Sequence, residues 1–309
     1  MEDEDLKDHV FRIEQLKKEK NAVIMAHYYV ADEVQAVADY IGDSYYLSEA
    51  AVNVHADTIV LCGVSFMGES AKILNPEKTV LLPDASADCP MAHMASVERI
   101  AEIRAQYPDV AVVCYVNSTA KLKAASDVCV TSANALKIVK ALPNKYIYFI
   151  PDQNLARYIA GKLPDKHFIF NDGFCHVHNQ ITAAEIKAAK DAHPFARVLV
   201  HPECRPEVTS MADYVGSTSG IISHVEKCDA SEFIIVTETG VFCELRKRCP
   251  DRKFYAVDGS QICPNMKKIT LDKIIDVLEH QTASVELEQS LLASALSPME
   301  RMLQLSGTD

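Results

Sequence analysis

Three single cysteines, Cys89, Cys175 and Cys263, recur along the chain at nearly equal intervals of 86 and 88 residues. Cysteine thiolates are ligands for zinc and for iron-sulfur clusters. Structural zinc sites commonly take their ligands from closely spaced CxxC pairs, and the chain contains no such pair. Three cysteines from distant loops instead suit a metal centre that is shared between domains and leaves one coordination position open.

The turn "DGFCHVHNQ" (172–180) also permits a purely local interpretation. Cys175 stands beside His176 and His178, and a thiolate with imidazoles in one turn is typical of a zinc site or of a nucleophile with its base. A second alternative is an array of similar units whose cysteines never meet. The spacing by itself leaves these alternatives open.

Other residue types follow the same period as the cysteines. His27, Tyr115 and His201, each at the end of an apolar run, lie 88 and 86 residues apart. A series of serines in short hydroxyl-bearing turns is spaced by 88 and 85 residues: Ser44, Ser132 and Ser217. Independent landmarks that agree on a period near 87 residues indicate three copies of one structural unit.

Each copy contains the same succession of apolar, β-branched runs and helical patterns. The runs that predict strands are 21–29, 57–64 and 78–84, then 109–118, 145–151 and 166–172, then 196–204, 232–240 and 252–258. The helical patterns that follow the first run of each copy are 32–41, 120–127 and 206–215. Strands that alternate with helices predict parallel sheets joined by right-handed crossovers.

These patterns predict an α/β protein with three pseudo-symmetric three-layer α/β/α domains whose parallel sheets surround a central active site. In such sheets, functional residues gather at the carboxyl ends of the strands. The predicted boundaries are an N-terminal helix at 1–20, repeats at 21–107, 108–194 and 195–270, and C-terminal helices at 271–309. We expect the terminal helices to pack against the body of the protein.

Polar pairs at the ends of the first strands are the candidates for proton transfer and substrate positioning. They are His27 with Tyr29, Tyr115 with Asn117, and His201 with Glu203. Histidines and carboxylates can act as acids or bases, and a tyrosine can donate to a developing oxyanion. The hydroxyl turns suit anion binding, because backbone N–H groups at the start of a helix favour negative charge; they contain Ser44, Ser132, Ser217 and Thr218.

Composition excludes several classes of function. The chain has 309 residues, a net charge of −12 and no basic stripe, which disfavours nucleic-acid binding. It has no apolar run long enough for a membrane span and no signal-peptide core, so we expect a cytoplasmic protein that does not bind membranes. Ten cysteines are many for a reducing compartment and indicate metal binding or reactivity at some of them.

Several short strings together resemble the quinolinate synthase family. They are "AHYY" with "GDS", "CYVNS", "TSAN", "GFCHVH", "HPEC", "GSTSG", "TETG" and "CPNMKKIT", and they extend from about Ala26 to Thr270. Some members carry CxxCxxC at the last cysteine, whereas this chain has only Cys263 in "CPNMKK". The ligand role of Cys263 is therefore less ambiguous, and disulfide switching through that motif is not available.

The resemblance implies three pseudo-symmetric α/β domains around a [4Fe-4S] cluster that is held by Cys89, Cys175 and Cys263 and has one open iron. It also implies condensation of iminoaspartate with dihydroxyacetone phosphate to quinolinate, with loss of phosphate and water, for NAD biosynthesis. Iminoaspartate would come from an L-aspartate oxidase or dehydrogenase. We expect a monomer or a weak homo-oligomer.

The family motifs also assign roles to individual residues. They imply that Glu203 is a general base and Tyr29 an acid-base group, with His201 and Tyr115 beside them at the catalytic centre. The implied substrate-binding residues are His27, Ser44, Tyr115, Asn117, Ser132, His178, His201, Glu203, Ser217 and Thr218. Of the two histidines in the turn, His178 is favoured as a residue of the site, and His176 is expected to be exposed or structural. Glu238 is a weaker candidate for the site.

Two rival hypotheses accompany this assignment. One is a zinc enzyme that uses Cys175, His176 or His178 and one distant ligand. The other is a non-catalytic iron-sulfur redox sensor that controls a partner. The sensor is disfavoured because the acidic chain has no recognition surface for nucleic acid.

Overall fold

Three parallel sheets of four strands each form in chain order in the computed structural model, which describes residues 3–257 and 261–307. The first sheet contains β1 (Ala22–His27), β2 (Tyr40–Gly42), β3 (Thr58–Cys62) and β4 (Thr79–Leu81). The second contains β5 (Val110–Tyr115), β6 (Val128–Val130), β7 (Tyr146–Ile150) and β8 (His167–Phe170). The third contains β9 (Arg197–Val200), β10 (Tyr214–Val215), β11 (Glu232–Val236) and β12 (Lys253–Ala256).

Fifteen α-helices connect and flank these strands within the described residues. They are α1 (Asp3–Glu19), α2 (Asp32–Ala36), α3 (Ser44–Asn53), α4 (Ser65–Leu74), α5 (Val97–Gln106), α6 (Ala120–Ala124), α7 (Ala135–Ala141), α8 (Gln153–Lys162), α9 (His176–Gln180), α10 (Ala183–Ala192), α11 (Pro206–Thr209), α12 (Thr218–Lys227), α13 (Val241–Arg248), α14 (Leu271–His280) and α15 (Gln289–Gly307). Short 3₁₀ helices span Pro90–His93 and Met266–Lys268.

The three sheets share one strand order, β2-β1-β3-β4, β6-β5-β7-β8 and β10-β9-β11-β12, which confirms the predicted repeated α/β architecture. After the first strand of each sheet, the chain forms the next strand on one side of it. It then crosses over and forms the third strand on the other side. The carboxyl end of that first strand therefore lies at a topological switch point, where open α/β sheets bind ligands. The boundaries between the repeats stay predictions, although each sheet lies within its predicted repeat.

The central strands are apolar along their whole length because helices cover both faces of the sheets. Every residue of β3 and of β5 is buried. All nine predicted strands form, and the run 252–258 contains β12 as far as Ala256, whereas its last residue, Asp258, lies outside the described residues.

The second strand of each sheet, β2, β6 or β10, was missed. The helical patterns at 32–41 and 206–215 extend into β2 and β10, and the pattern at 120–127 ends directly before β6. In each of them only a short helix forms first, and β2, β6 or β10 follows at the edge of the sheet. Edge strands of two or three residues are too short to show the alternation that identifies a strand. Pairing with the neighbouring strand overrides the local helical pattern.

One aspartate fixes each of these edge strands to the first strand of its sheet. The aspartates lie immediately before β2, β6 and β10, at Asp39, Asp127 and Asp213. Their carboxylates accept the backbone N–H groups of Ile24, Val112 and Val198 at 2.8, 2.7 and 2.8 Å. The same three aspartates donate their own N–H groups to the carbonyl oxygens of those residues at 2.9, 2.9 and 2.8 Å. The recurrence of this pair of hydrogen bonds shows that the three sheets use one scaffold.

The terminal helices pack against the body, as expected. Helix α1 lies along α14, where Arg12 donates to Glu279 at 2.6 Å. Helix α15 crosses α4 of the first repeat and α6, α7 and β6 of the second. Ala295, Met299 and Met302 of α15 are fully buried in the core of the second repeat. The tail therefore holds the first two repeats together.

No helix among the described residues is both long and apolar enough to cross a membrane.

Replacing Asp127 by alanine should lower the free energy of unfolding by about 1–2 kcal/mol, because the Val112 N–H group loses a charged acceptor. Chemical denaturation followed by circular dichroism measures the loss. The control is Asp191→Ala, which removes an exposed ion pair with Lys187 and should change stability by no more than about 0.5 kcal/mol. Equal losses in the two variants would contradict the scaffold role of Asp127.

Candidate active site

A central cavity with about 730 Å³ of empty space, part of it open to solvent, lies where the carboxyl ends of the three sheets meet. All three repeats contribute to its wall, which also includes residues after β12. The lining residues are His27, Tyr29, Asp43, Ser44, Val64, Phe66, Cys89, Met91, Tyr115, Asn117, Thr131, Ser132, Cys175, His176, Val177, His178, His201, Glu203, Thr218, Glu238, Cys263, Asn265 and Met266.

The cavity gathers nearly all the residues singled out in the sequence. Ser217 is the exception, because its side chain caps α12 by accepting the Gly220 N–H at 3.1 Å and is not among the lining residues. His176 was expected to be exposed or structural, but it lines the cavity and is half-buried. His178 also lines the cavity and is almost completely buried.

The three cysteine sulfurs face the same space and occupy similar local structures. Cys89 is the N-cap of the 3₁₀ helix Pro90–His93, and Cys175 is the N-cap of α9. Backbone N–H groups that follow each cysteine act to lower the pKa of its thiol: those of Met91 and Ala92 at the first, of His178 at the second, and of Asn265 and Met266 at the third. Such donors stabilise a thiolate.

The thiols are nevertheless neutral at ordinary pH in the metal-free protein. Burial, with smaller contributions from the nearby Glu203 and Cys263, raises the pKa of Cys89 to about 12. Burial, Glu203 and Cys89 raise the pKa of Cys175 well above its usual range. Each thiol thus lies close enough to a second one to affect its charge, and a metal ion would be needed to hold all three as thiolates.

A chain of hydrogen bonds crosses the cavity wall from the third repeat to the first. Nδ1 of His178 lies 2.8 Å from Glu203 Oε2 and 3.2 Å from Sγ of Cys175. Nε2 of the same ring lies 2.9 Å from the hydroxyl oxygen of Thr237. The Tyr29 hydroxyl is 2.8 Å from that same oxygen and 2.7 Å from the hydroxyl of Thr218. A carboxylate, an imidazole and a hydroxyl in this order form an acid-base unit of the hydrolase type.

Glu203 is the charged centre of this arrangement. It is 3% exposed, so burial alone would raise its pKa. The neighbouring His178, His201 and Tyr115 outweigh burial and lower the pKa of Glu203 to about 2. Burial together with this carboxylate raises the pKa of Tyr29 and of Tyr115 well above 10.0, so both phenols keep their protons at neutral pH.

Two further imidazoles are buried and neutral. Burial lowers the pKa of His27 and of His201 to about 3, although Glu203 opposes the shift in both. Nδ1 of His27 accepts the Tyr29 N–H at 3.2 Å, and Nδ1 of His201 accepts the Glu203 N–H at 3.4 Å. The proton of each neutral ring therefore lies on Nε2, and both rings can donate a hydrogen bond to a ligand.

Unpaired acceptors complete the wall. Asp43 Oδ2, Asn117 Oδ1 and Glu203 Oε1 are buried and have no hydrogen-bond partner among the described residues. Buried polar atoms normally have partners, so such acceptors at a cavity indicate contacts to a bound molecule. The cavity thus presents donors from its neutral histidines and acceptors from its carboxyl and amide groups.

The sequence interpretation missed Thr237 and Asp43. Thr237 lies in "TETG" beside the weaker candidate Glu238, and Asp43 lies in "GDS" beside Ser44. Asp43 also caps α3 by accepting the Tyr46 N–H at 3.0 Å. Aspartate before a helix is most simply an N-cap, so its second oxygen could be recognised only from the structure.

Two metal arrangements fit these donors. Cys175 Sγ, His178 and a Glu203 oxygen lie within 4.8 Å of one another and could hold a single ion. The second arrangement uses Cys89, Cys175 and Cys263, which are unpaired thiols on one cavity wall, one from each repeat loop, with N–H groups directed at their sulfurs. An all-cysteine donor set with N–H···S contacts fits an iron-sulfur cluster.

Repeated α/β sheets around a central cavity that is lined by acid-base groups and three cysteines define a class of enzyme-like proteins. Comparison with known proteins places the chain within this class. A model of the family described as "Quinolinate synthetase A protein" matches residues 11–304. The chain belongs to this family, whose members are enzymes of NAD biosynthesis.

Individual relatives agree with the family assignment over nearly their whole length. The quinolinate synthase of Clostridioides difficile is 49% identical over 300 residues, which cover 97% of this chain and 99% of the relative. That of Fusobacterium nucleatum is 50% identical over 296 residues, covering 96% and 99%. Quinolinate synthase 2 of the archaeon Methanosarcina acetivorans is 47% identical over 296 residues, covering 96% and 95%. The predicted family is confirmed.

The buried neutral histidines predict a loss of stability on acidification. Below pH 6.5 the unfolded chain binds protons at these rings, whereas the folded protein does not do so until about pH 3. Stability is therefore fully present above pH 6.5 and falls as the pH falls. Each ring should contribute about 1–2 kcal/mol to the decrease between pH 7 and pH 5.

The check is chemical denaturation of the metal-free protein at several pH values. The variant His201→Gln should show a smaller decrease than the parent between pH 7 and pH 5. The variant His55→Gln, which changes an exposed ring, serves as the control. An unchanged pH dependence in His201→Gln would show that His201 is not held neutral in the folded protein.

Proposed function

We propose that this protein condenses iminoaspartate with dihydroxyacetone phosphate to quinolinate, with loss of phosphate and water, using a [4Fe-4S] cluster bound by Cys89, Cys175 and Cys263. The observation that carries the proposal is the convergence of one cysteine from each repeat on a single cavity. When bound, a cluster with three cysteine ligands supplies one iron as a Lewis acid for a substrate oxygen or nitrogen. Iminoaspartate would come from an L-aspartate oxidase or dehydrogenase.

Anionic substrates fit the donors of the cavity. Nε2 of His27 and of His201 can each donate to a carboxylate or phosphate oxygen while the ring stays neutral. Ser44 is the first residue of α3 and Thr218 the first of α12, so anions beside them also meet the N-terminal end of a ten-residue helix. Ser132 lies in the turn before α7 and offers a further hydroxyl. These groups serve to bind the phosphate and then the carboxylates.

Proton transfer is the role of the chain from Glu203 to Tyr29. The carboxylate of Glu203 holds Nδ1–H of His178, so that Nε2 is directed at Thr237. A proton can pass between Tyr29 and Nε2 of His178 through the Thr237 hydroxyl without movement of the backbone. Glu203 thus acts as the base in partnership with His178, and Tyr29 is the group that meets the substrate.

Asn117 and Tyr115 hold the substrate beside these groups. Asn117 Oδ1 is an unpaired acceptor that suits an O–H or N–H donor of the substrate. Tyr115 is 5% exposed and keeps its proton next to Glu203, so it suits donation to a developing oxyanion. Both residues follow or end β5, opposite the strand ends that carry His27 and His201.

A second candidate is an enzyme with one metal ion at Cys175, His178 and Glu203, favoured by the mutual proximity of their ligand atoms. It shares one cysteine with the cluster proposal and does not involve the other two. The two candidates therefore predict different consequences of removing Cys89 or Cys263.

Replacing Cys89 or Cys263 by serine should abolish cluster binding and the formation of quinolinate. Iron and sulfide analysis after anaerobic reconstitution, with an absorption spectrum, measures binding. The control is Cys228→Ser, a partly buried cysteine that does not line the cavity. Retention of one metal ion and of activity in Cys89→Ser and Cys263→Ser, with loss in His178→Gln, would overturn the cluster proposal in favour of the single-ion site.

Replacing Thr237 by valine should reduce kcat roughly a hundredfold or more, because the proton path between Tyr29 and His178 is interrupted. Cluster content should not change, since Thr237 touches no cysteine in the described contacts. The measurements are quinolinate formation from freshly generated iminoaspartate and iron per chain. Thr58→Val, at a buried threonine on β3 outside the cavity, is the matched control. Full activity of Thr237→Val would exclude this path.

A further inference from the structure

The backbone N–H group of each cavity cysteine is bound by a carboxyl group. Asp88 Oδ1 accepts the N–H of Cys89 at 2.8 Å. Asp152 Oδ2 accepts that of Cys175 at 3.0 Å, and Glu238 Oε1 accepts that of Cys263 at 3.1 Å. The same contact thus recurs in all three repeats at the three residues that would hold the cluster.

These carboxyl groups connect each cysteine loop to the end of the third strand of its sheet, which is β3, β7 or β11. Asp152 lies two residues beyond β7, and Glu238 lies two residues beyond β11. The equivalent position in the first repeat is Val64, and there the next residue, Ser65, donates its hydroxyl to Asp88. In the first repeat the carboxyl group therefore belongs to Asp88, next to the cysteine, and the segment after the strand supplies the hydroxyl donor Ser65.

In the second and third repeats the carboxyl group is fully buried and uses both oxygens. Asp152 Oδ1 accepts the Leu155 N–H at 2.7 Å, while Oδ2 accepts the N–H of Cys175. Glu238 Oε2 accepts the Gly240 N–H at 2.6 Å, while Oε1 accepts the N–H of Cys263. Each side chain thus binds two backbone donors that belong to two different segments of its repeat.

Two further contacts show how closely these segments approach. Gly173, two residues before Cys175, pairs with Asp152 in an isolated parallel bridge and accepts the Gln153 N–H at 2.8 Å. A Cβ atom at position 173 would overlap the carbonyl oxygen of Pro151. Lys267, four residues after Cys263, lies 3.0 Å from Glu238 and donates to the carbonyl oxygen of Tyr29 at 2.6 Å.

We propose that Asp152 and Glu238 are positioning residues that fix the loops of Cys175 and Cys263, so that these sulfurs are held in place before the cluster binds. The inference rests on the proposed cluster site. Partners that orient metal ligands commonly change metal affinity by about 10- to 100-fold when they are removed. Asp88 has the corresponding role in the first repeat, where its carboxyl group also contacts His93 at 2.7 Å.

The hydrogen-bond pattern gives an isosteric test. In Asp152→Asn and Glu238→Gln the new NH₂ group faces a backbone N–H in either orientation of the amide, because both original oxygens are acceptors of N–H groups. In Asp88→Asn, by contrast, the remaining oxygen can still accept the Cys89 N–H while NH₂ donates to Nε2 of His93. Replacing the carboxyl group by an amide is thus disruptive at positions 152 and 238 and tolerated at position 88.

The first experiment is anaerobic reconstitution of the full-length chain with iron and sulfide, followed by transfer of iron to a chelator. Asp152→Asn and Glu238→Gln should lose the cluster about tenfold faster than the parent. Asp88→Asn should behave like the parent. Asp127→Ala, which removes a carboxyl–amide contact remote from the cavity, should lower stability without changing the rate of iron loss. Parental rates in both Asp152→Asn and Glu238→Gln would overturn the inference.

The second experiment uses metal-free protein and so separates this inference from the proposed function. Alkylation by iodoacetamide is followed for each cysteine by mass spectrometry under conditions where circular dichroism shows the fold intact. In Asp152→Asn the rate should rise severalfold at Cys175 and stay unchanged at Cys89. Equal rates at Cys175 in parent and variant would refute the positioning role, whether or not a cluster binds. Failure of the parent to bind a cluster, with the selective rise preserved, would refute only the proposed function.

Discussion

The protonation states of the other groups in the cavity depend on the buried carboxylate of Glu203. A charge that is 3% exposed is stable only with close partners, and His178 at 2.8 Å and the hydroxyl of Tyr115 provide them. The same charge helps to keep the phenols of Tyr29 and Tyr115 protonated. It also raises the pKa of two cavity cysteines, Cys89 and Cys175. Metal binding by these thiols is therefore linked to the protonation of the side chains that line the cavity.

The partners of Glu203 come from different repeats, and this makes the site a property of the assembled protein. Glu203 follows β9 of the third repeat, whereas His178 belongs to α9 of the second and Tyr29 follows β1 of the first. No single repeat contains the complete hydrogen-bonded chain. Helix α15 packs on both the first and the second repeat and so joins two of the three units that contribute to the site.

The repeats are alike in the parts that build the sheets and differ at the cavity. The same aspartate fixes the edge strand in each sheet, at Asp39, Asp127 and Asp213. The first strands instead end at the cavity with histidine, tyrosine and histidine. The position two residues beyond the third strand is valine, aspartate or glutamate: Val64, Asp152 and Glu238. An asymmetric substrate requires different groups on different sides, whereas the scaffold only requires that each sheet forms.

The sequence by itself determined the period, the main strands and the cysteines, because an apolar run that forms a buried strand can be recognised locally in the chain. It did not reveal the short edge strands, whose pairing overrides a helical pattern, or the roles of Thr237 and Asp152. Those roles depend on partners far away in sequence: Thr237 meets His178 across 59 residues and Tyr29 across 208. Only the tertiary structure decided which polar groups meet, because a buried hydrogen bond is specified by the geometry of two packed segments and leaves no periodic pattern in either.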